Sequence, residues 1–323
     1  MSAAVDGAGL TIFVGPRGGE LTAEQRAQIN AAAGPASVRH FESRADLERE
    51  IEQADIVVGS LSAEGLARAV RLKWVQSWAA GTNEILFPEM VESPVAVTSC
   101  AGNGGIPLAE HAVMLMLMLN RNATRWLQNQ AEQRWERWVH PELNGLTCGI
   151  IGLGHSGKDL ALKAGAFHMR VLGMRRNAQP TEHVDQVFPR EQLHDLLSQS
   201  DFVVMTAPRT PETIGMLGEA EFRAMKPSAH YICFSRGGIA DDAALLRALR
   251  EGWIAGAGLD AHSEEPLPAD SPFWTAPNTI ITPHNGATTP GTVQRGVDIF
   301  IDNLRRFFRG EALHNIVDKR AGY

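Results

Sequence analysis

The chain has 323 residues, which is too many for one ordinary hydrophobic core and favours two domains. Its hydrophobic fraction of 44% and charged fraction of 21% are ordinary for a soluble globular protein. The net charge of −7 argues against a nucleic-acid-binding surface, although a local basic spot can still bind phosphate.

The cysteine and apolar patterns predict a cytoplasmic protein. The chain has three cysteines, Cys100, Cys148 and Cys233. Because their number is odd and their spacing is wide, we expect reduced thiols packed in or near strands. The N-terminus lacks the pattern of a signal peptide. The most apolar run, 112–119, is far below the roughly 20 residues that span a bilayer, so we expect a buried helix there. The histidines form no H-x-x-x-H or Cys/His cluster, and we expect no metal site.

The first hundred residues have the pattern of a small α/β unit. A helix is predicted at 21–33, where Gly34-Pro35 ends it. Four short apolar runs are predicted as strands, at 11–14, 55–59, 72–78 and 95–98. A long helix is predicted after Pro107, at 108–120, and it is followed by helix and loop at 121–140.

From residue 147 onward, strands alternate with helical segments, which is typical of a doubly wound parallel sheet. The predicted strands are 147–151, 171–174, 202–206, 231–234, 254–259 and 279–281. The last apolar segment, 293–308, is predicted to pack back on the first unit because the second sheet is already complete. We therefore expect a substrate-binding domain of residues 1–101 plus 291–323 and a dinucleotide-binding domain of residues 102–290.

Gly152, Gly154 and Gly157 form a G-x-G-x-x-G pattern. The pattern alone is weak, since a plain strand-turn-helix can carry it. Here an apolar strand at 148–151 runs into it and a helix at 158–166 runs out, as a dinucleotide-binding loop requires. The glycines allow a tight turn and close approach to a diphosphate, whose charge the helix N-terminus attracts.

The residues after the next strand bear on the choice between NAD and NADP. An acid is expected about 20 residues beyond the first glycine to bond the ribose hydroxyls. This chain has Arg175 and Arg176 there, and no acid lies between Asp159 and Glu182. Two guanidiniums suit a 2′-phosphate, although a solvated basic turn is the alternative. The sequence favours NADP(H), with NAD(H) also possible; Arg209 is either a further cation near that edge or a surface residue.

Three charged or titratable residues follow later strands: Arg236, Glu265 and His284. The carboxyl ends of parallel strands are where α/β sheets bind ligands. An arginine matches a carboxylate, a histidine exchanges protons near neutrality, and a neighbouring carboxylate orients the imidazole. Each residue alone would be unremarkable, but together they indicate an oxidoreductase acting on 2-oxo or 2-hydroxy acids.

The chain resembles the D-isomer-specific 2-hydroxyacid dehydrogenase family over nearly its whole length. The resemblance rests on the stretches QSWAAGTNEI, PLAEHAVML, LNGLTCGIIGLGHSG, PRTPETIGML, FSRGGIADDAALLRAL, GAGLDAHSEEPLPADSPFW and TPHNGATTPG. It implies that Arg236 binds the substrate carboxylate and carbonyl, and that His284 is the acid/base paired with Glu265. A glutamate at 265, rather than a glutamine, argues against the formate dehydrogenase branch.

The same resemblance implies two Rossmann-like or flavodoxin-like doubly wound domains with a cleft between them. It also implies a homodimer held partly by the helical segment after Pro107. Backbone groups of Ala80 and Gly81 would face the substrate. Besides the three glycines, the implied cofactor contacts are His155, Ser156, Pro208, Thr213, Phe234, Ser235 and Asp260.

The predicted function is therefore NADP(H)-preferring reduction of small 2-oxo acids such as glyoxylate, hydroxypyruvate or phenylpyruvate. The alternative is a non-catalytic dinucleotide sensor resembling a corepressor. Retention of all three of Arg236, Glu265 and His284 argues against a sensor, which needs only the glycine loop. Trp135 and Trp138 either line the cleft or belong to a core.

Overall fold

The computed structural model describes residues 7–16, 21–82 and 84–322. The chain divides into two compact units. Unit 1 contains Met1–Asn103 and Thr289–Tyr323, and unit 2 contains Gly104–Thr288. Both chain ends thus belong to unit 1, and unit 2 is a single continuous segment.

The strands are short and the helices vary in length. The strands are β1 (Thr11–Val14), β2 (Ser37–His40), β3 (Ile56–Val58), β4 (Trp74–Gln76), β5 (Ala96–Thr98), β6 (Thr147–Ile151), β7 (Arg170–Met174), β8 (Gln186–Phe188), β9 (Phe202–Met205), β10 (His230–Cys233), β11 (Gly256–Leu259) and β12 (Thr279–Ile281). The helices are α1 (Ala23–Ala33), α2 (Arg44–Arg49), α3 (Ala63–Arg68), α4 (Pro88–Glu92), α5 (Gly105–Arg121), α6 (Ala123–Ala131), α7 (His155–Ala166), α8 (Leu193–Gln199), α9 (Glu219–Ala224), α10 (Asp242–Arg250) and α11 (Pro290–Arg309). Short 3₁₀ helices span Ile51–Gln53, Arg190–Gln192 and Pro272–Thr275.

Unit 1 is built on a parallel five-stranded sheet of order β2-β1-β3-β4-β5. One face of the sheet carries α1 and α11. Their apolar side chains share a core with Trp74 of β4 and with Trp78, which follows that strand. Trp74 is fully buried and lies 5.7 Å, centroid to centroid, from the ring of Phe300 in α11. The last apolar segment therefore packs on the first sheet, where the sequence predicted it.

Unit 2 is built on a parallel seven-stranded sheet of order β12-β11-β10-β9-β6-β7-β8. Buried side chains fill both faces: α5 and α7 cover one, and α8, α9 and α10 cover the other. β6 pairs with β7 along one edge and with β9 along the other, so the two halves of the sheet extend in opposite directions from β6. This reversal between β6 and β9 is the switch point at which such sheets bind ligands. The predicted fold class, doubly wound parallel sheets, is confirmed.

Several element bounds differ from the predictions for local reasons. β2 and β8 were not predicted, since SVRH and QVF lack a continuous apolar run. α5 begins at Gly105 rather than after Pro107, because the first turn of a helix needs no intrahelical N–H donors. None of the helices in the described part of the chain combines the length and apolar character needed to cross a membrane.

Candidate active site

The glycine loop follows β6 at the switch point of the unit 2 sheet. Gly152 has a φ of 109°, which favours glycine, and a Cβ there would lie 2.7 Å from the backbone nitrogen of Ala207. A Cβ on Gly157 would collide with the carbonyl oxygen of Gly152. The Thr206 hydroxyl also donates to that oxygen. These two glycines therefore allow strand, turn and helix to pack closely.

Gly154 differs from the other two because, its chain neighbours aside, no atom of the described residues lies within 4 Å of the position its Cβ would take. It precedes α7, and no side chain among the described residues caps the first turn of that helix. The N–H groups of this turn, which includes the exposed His155 and half-buried Ser156, are thus available to an anion. The open space above Gly154 fits a dinucleotide diphosphate.

The end of β7 carries Arg175, half-buried, and Arg176, exposed. The backbone N–H of Arg175 donates to Phe188 O, at the end of the neighbouring β8, over 3.3 Å. Close by, a hydrogen bond from Thr210 lowers the pKa of Glu212, and the charges of Arg176 and Arg190 act in the same direction. A basic group of side chains thus lies beside β7, as a 2′-phosphate would require.

Arg236 lies in the loop that leaves β10, after Phe234 and Ser235. Its Nη1 donates to the carbonyl oxygen of Ser235 over 2.7 Å, which restrains the guanidinium. The glycines that follow are packed tightly, since a Cβ on Gly237 would overlap the backbone of His262. The loop after β10 is therefore held against the loop after β11.

Glu265 and His284 form a hydrogen-bonded pair. Nδ1 of His284 lies 2.7 Å from Oε2 of Glu265, while Oε1 of Glu265 accepts the backbone N–H of His262 over 2.8 Å. Burial raises the pKa of Glu265, but the His262 N–H and then His284 outweigh it, so the pKa is lowered overall. His284 has a φ of 51°, in the left-handed region that few residues other than glycine adopt. Residues with such a backbone conformation are found more often at functional sites.

Asp260 holds the backbone of the segment that carries His284. It is fully buried, and Oδ1 accepts from Asn285 N over 3.1 Å while Oδ2 accepts from Gly286 N over 3.0 Å. The Thr282 hydroxyl donates to Oδ1 over 2.6 Å. The predicted role of Asp260 as a cofactor contact stays a prediction; the structure shows its carboxylate bound to the histidine loop.

His111 and Thr282 belong to the same network but had no role in the sequence prediction. Nε2 of His111 lies 3.0 Å from Oγ1 of Thr282 and 3.6 Å from Oδ1 of Asp260. The His111 ring also limits the space at Gly286, where a Cβ would lie 3.1 Å from it. The available signal was a histidine at the start of an otherwise apolar helical run, AVMLMLML.

The remaining predicted contacts occupy two regions. Thr213 donates to Pro208 O over 2.7 Å and accepts from Thr210 N, so it shapes the loop after β9. Ala80 and Gly81 lie in unit 1, shortly after β4, with Ala80 exposed. The roles of all the predicted cofactor and substrate contacts stay predictions.

The roles considered for Arg209, Trp135 and Trp138 also stay predictions. Arg209 is exposed, and a Cβ on Gly238 would lie 3.3 Å from its Nε, so it lies beside the Arg236 loop. Trp135 is 94% exposed and belongs to no core, whereas Trp138 lies 5.5 Å from the ring of Trp126. Within the described residues, no group of three or more His, Cys, Asp or Glu could hold a metal.

Cys100, Cys148 and Cys233 are all buried. Burial raises the pKa of Cys148 to about 12 and also raises that of Cys233. A thiol of this kind is a poor nucleophile, because the thiolate is the reactive form.

A switch-point glycine loop, with a histidine–glutamate pair and an arginine at nearby strand ends, defines a dinucleotide-dependent oxidoreductase. Comparison of the chain with a protein-family model identifies the family within this class of oxidoreductases. The chain belongs to the D-isomer specific 2-hydroxyacid dehydrogenase family, whose NAD binding domain matches residues 113–286.

Relatives and solved structures agree with this assignment. A glyoxylate reductase from Pyrococcus furiosus is 32% identical over 310 residues, which are 90% of this chain and 92% of the relative. The crystal structure of a D-isomer specific 2-hydroxyacid dehydrogenase family protein from Aeromonas salmonicida is 30% identical, with a TM-score of 0.88, and the match covers 97% of this chain and 100% of that one. An NADPH-dependent glyoxylate/hydroxypyruvate reductase from Sinorhizobium meliloti, solved with NADP and sulfate, is 29% identical, with a TM-score of 0.84 and coverage of 97% and 100%. The prediction of an NAD(P)-dependent hydroxyacid oxidoreductase is confirmed.

Proposed function

We propose that the protein is an NADP(H)-preferring reductase of small 2-oxo acids such as glyoxylate, hydroxypyruvate or phenylpyruvate. The observation that carries this proposal is the 2.7 Å hydrogen bond between His284 Nδ1 and Glu265 Oε2, near the loop of Arg236. The names of the relatives, glyoxylate reductase and glyoxylate/hydroxypyruvate reductase, support a small 2-oxo acid as substrate.

His284 supplies the proton in this proposal. The lowered pKa of Glu265 keeps its carboxylate ionised at neutral pH, so it accepts the Nδ1–H of His284. Nε2 is then the nitrogen that gives its proton to the carbonyl oxygen of the substrate. Glu265 stabilises the protonated ring and fixes its plane, and the His262 N–H fixes Glu265 in turn.

Arg236 binds the carboxylate of the substrate. Since Nη1 donates to Ser235 O, the guanidinium is restrained by its own loop, and its other N–H groups are oriented for a planar anion. Backbone groups of Ala80 and Gly81 are proposed to contact the substrate from unit 1. A bound nicotinamide would supply the hydride that reduces the carbonyl carbon.

The glycine loop and the residues after β7 would hold the dinucleotide. The uncapped first turn of α7 and the open space at Gly154 suit the diphosphate. Arg175 and Arg176 occupy the positions where an NAD-selecting acid is expected, and they would bind a 2′-phosphate. The S. meliloti reductase, which is NADPH-dependent by name, supports this preference.

We also propose that the chain forms a homodimer through α5, α6 and the segment that follows them. Large apolar side chains are exposed along this region, although such groups are normally buried or form interfaces. They are Ile106, Met114, Trp126, Leu127, Trp135 and Val139.

The test of the catalytic proposal compares two histidines that each pair with a glutamate. The loss of nicotinamide absorbance is followed with NADPH and NADH in parallel against a panel of 2-oxo acids. We expect faster oxidation of NADPH than of NADH, and His284→Ala should lower kcat by about 10²–10⁴-fold. His194→Ala is the matched control, because His194 pairs with Glu221 over 3.0 Å on the helical face of unit 2.

Two outcomes would contradict the proposal. If His284→Ala stayed within a few-fold of the wild-type kcat, the proton assignment would fail. If neither cofactor were oxidised while cofactor binding remained tight by fluorescence, the protein would be a dinucleotide sensor instead.

A further inference from the structure

Helix α5 packs on the unit 2 sheet at β11, the strand that leads into Asp260. A Cβ on Gly258 of β11 would lie 3.1 Å from the Cβ of Leu115, so helix and strand are in direct contact here. His111 lies one helical turn before Leu115, and its side chain is only 11% exposed. The packing of α5 therefore holds the His111 imidazole against the segment that follows β12.

The single hydroxyl proton of Thr282 fixes the direction of the hydrogen bonds around it. Oγ1 of Thr282 lies 2.6 Å from Oδ1 of Asp260 and 3.0 Å from Nε2 of His111. A carboxylate only accepts hydrogen bonds, so the hydroxyl donates to Asp260 and must accept from His111. Nε2 of His111 therefore carries a proton, and a directed chain of hydrogen bonds runs from the imidazole through Thr282 to Asp260.

Asp260 connects this chain to the backbone on both sides of His284. Its carboxylate accepts the N–H groups of Asn285 and Gly286. The Thr282 hydroxyl reaches the same carboxylate from the other side of the histidine. His284 itself has a φ of 51°, and such a conformation persists only where the surrounding structure holds it. Both flanks of His284 are thus bound to one buried carboxylate, which Thr282 helps to orient.

His111 contacts the same segment in a second way. A buried histidine is often no more than a satisfied member of a hydrogen-bond network. Here, however, the ring also lies against the backbone just after His284, since a Cβ on Gly286 would lie 3.1 Å from Cγ and 3.2 Å from Cδ2 of His111. His111 therefore restrains the segment around His284 both through hydrogen bonds and through direct packing.

We propose that His111 is a positioning residue for the reaction. Its Nε2–H keeps the Thr282 hydroxyl turned toward Asp260. The Asp260 carboxylate in turn keeps His284 in the conformation that pairs with Glu265. This role presupposes that His284 is the proton donor, as proposed above. Because His111 acts through Asp260, its loss should slow the proton transfer and leave the binding of substrate and cofactor unchanged.

The test compares two substitutions that differ in hydrogen bonding. His111→Gln retains an N–H donor that can reach Thr282, whereas His111→Leu fills similar space without one. We expect His111→Leu to lower kcat about tenfold, since a small displacement of a catalytic group is costly. KM for the 2-oxo acid and Kd for NADPH, the latter by fluorescence titration, should stay within about twofold of the wild type. His111→Gln should restore kcat to within about threefold.

Thr282→Val breaks the same chain at its next member and does not depend on how the variants at position 111 fold. It should lower kcat to a similar extent. Adding His111→Leu to it should cost less than about twofold more, because one hydrogen-bonded chain can be broken only once. The matched control is His230→Leu, which removes a half-buried histidine that stacks on Phe202 at the amino end of β10 and should leave kcat unchanged.

Three results would overturn this role for His111. They are a wild-type kcat in His111→Leu or Thr282→Val, a His111→Gln variant as slow as His111→Leu, and a loss of kcat matched by an equal loss of NADPH affinity. His284→Ala separates this role from the proposed function. If it lowers kcat while His111→Leu does not, only the role of His111 fails. If it leaves kcat unchanged, the proposed proton donor fails, and the role of His111 fails with it.

Discussion

The side chains of His284 and Glu265 are 38% and 35% exposed, so solvent screens their attraction and geometry matters more than charge. The His262 N–H supplies that geometry, since it restrains one oxygen of Glu265 and leaves the other for the imidazole. Because the pKa of Glu265 is lowered, the pair is intact at neutral pH. Its contribution to stability is lost only in acid, as the pH falls through that lowered pKa.

Glu265→Gln keeps the shape of the side chain but removes the charge that stabilises a protonated His284. We expect kcat for reduction to fall about tenfold or more, because the proton donor loses its charged hydrogen-bond partner. The measurement is kcat for both proteins, with the exposed neighbour Glu264→Gln as control. A wild-type kcat in Glu265→Gln would show that the carboxylate does not act on the proton donor.

Arg175→Asp places an acid where the ribose hydroxyls of NAD would bind and removes a guanidinium from the 2′-phosphate. We expect the ratio of kcat/KM for NADPH to that for NADH to fall by at least tenfold, since a charged hydrogen bond contributes about 1.5–3 kcal/mol. Arg170→Asp, at the other end of β7 and exposed, is the control. An unchanged ratio would mean that Arg175 only borders solvent.

For single residues, the sequence predicts which side chains follow strands better than it predicts which side chains contact one another. Arg236, Glu265 and His284 follow strands, and strand ends are predictable from apolar runs. The Asp260 network was not predictable, because His111 lies 171 positions from Thr282 and only the packing of α5 on the sheet brings them together. A single chain without its fold contains no signal for such a contact.

At the scale of elements, the glycines in and before α7 differ in the space that surrounds them. A Cβ on Gly157 would collide with Gly152 O, whereas a Cβ at position 154 or 165 would lie in space that no described residue fills. We expect Gly157→Ala to lower the midpoint of urea unfolding and to weaken NADP binding. Gly165→Ala should raise stability by about 0.5–1 kcal/mol, since alanine favours a helix interior.

Gly154→Ala separates folding from cofactor binding. It should leave the unfolding midpoint near that of the wild type, because its Cβ would contact no atom in the part of the chain that the structure describes, apart from its chain neighbours. It should still weaken NADP binding, measured by fluorescence titration, because the methyl group fills the space for the diphosphate. Wild-type affinity in Gly154→Ala would place the diphosphate elsewhere.

Strand prediction succeeded where the local sequence is an apolar run, which includes the edge strands β5 and β12, and it failed at the other two edge strands, β2 and β8. β6 was predicted to the residue, since TCGII is fully buried and glycine ends it. β2 is an edge strand with half-exposed polar residues, and nothing local distinguishes SVRH from a loop. Pairing with β1, a contact between distant segments, is what makes it a strand.

At the scale of the whole molecule, the exposed apolar side chains of α5, α6 and residues 132–139 predict self-association. Sedimentation of the wild type should give about twice the chain mass of 35.1 kDa. Leu127→Glu should shift the protein toward the monomer, because a buried unpaired charge is costly at an interface. Val70→Glu, at an 80% exposed apolar position in unit 1, is the control, and a monomeric wild type would refute the dimer.

The connectivity of unit 1 has a consequence for synthesis on the ribosome. β1 to β5 and α1 emerge first, but the part of the cover over Trp74 and Trp78 that α11 supplies arrives only after all of unit 2 has been made. At about 5–20 residues per second, the incompletely covered sheet face waits for about ten seconds or more. Unit 2 is continuous and has no such delay, so the later half of the protein can be complete before the earlier half, whose apolar face is meanwhile a natural target for chaperones.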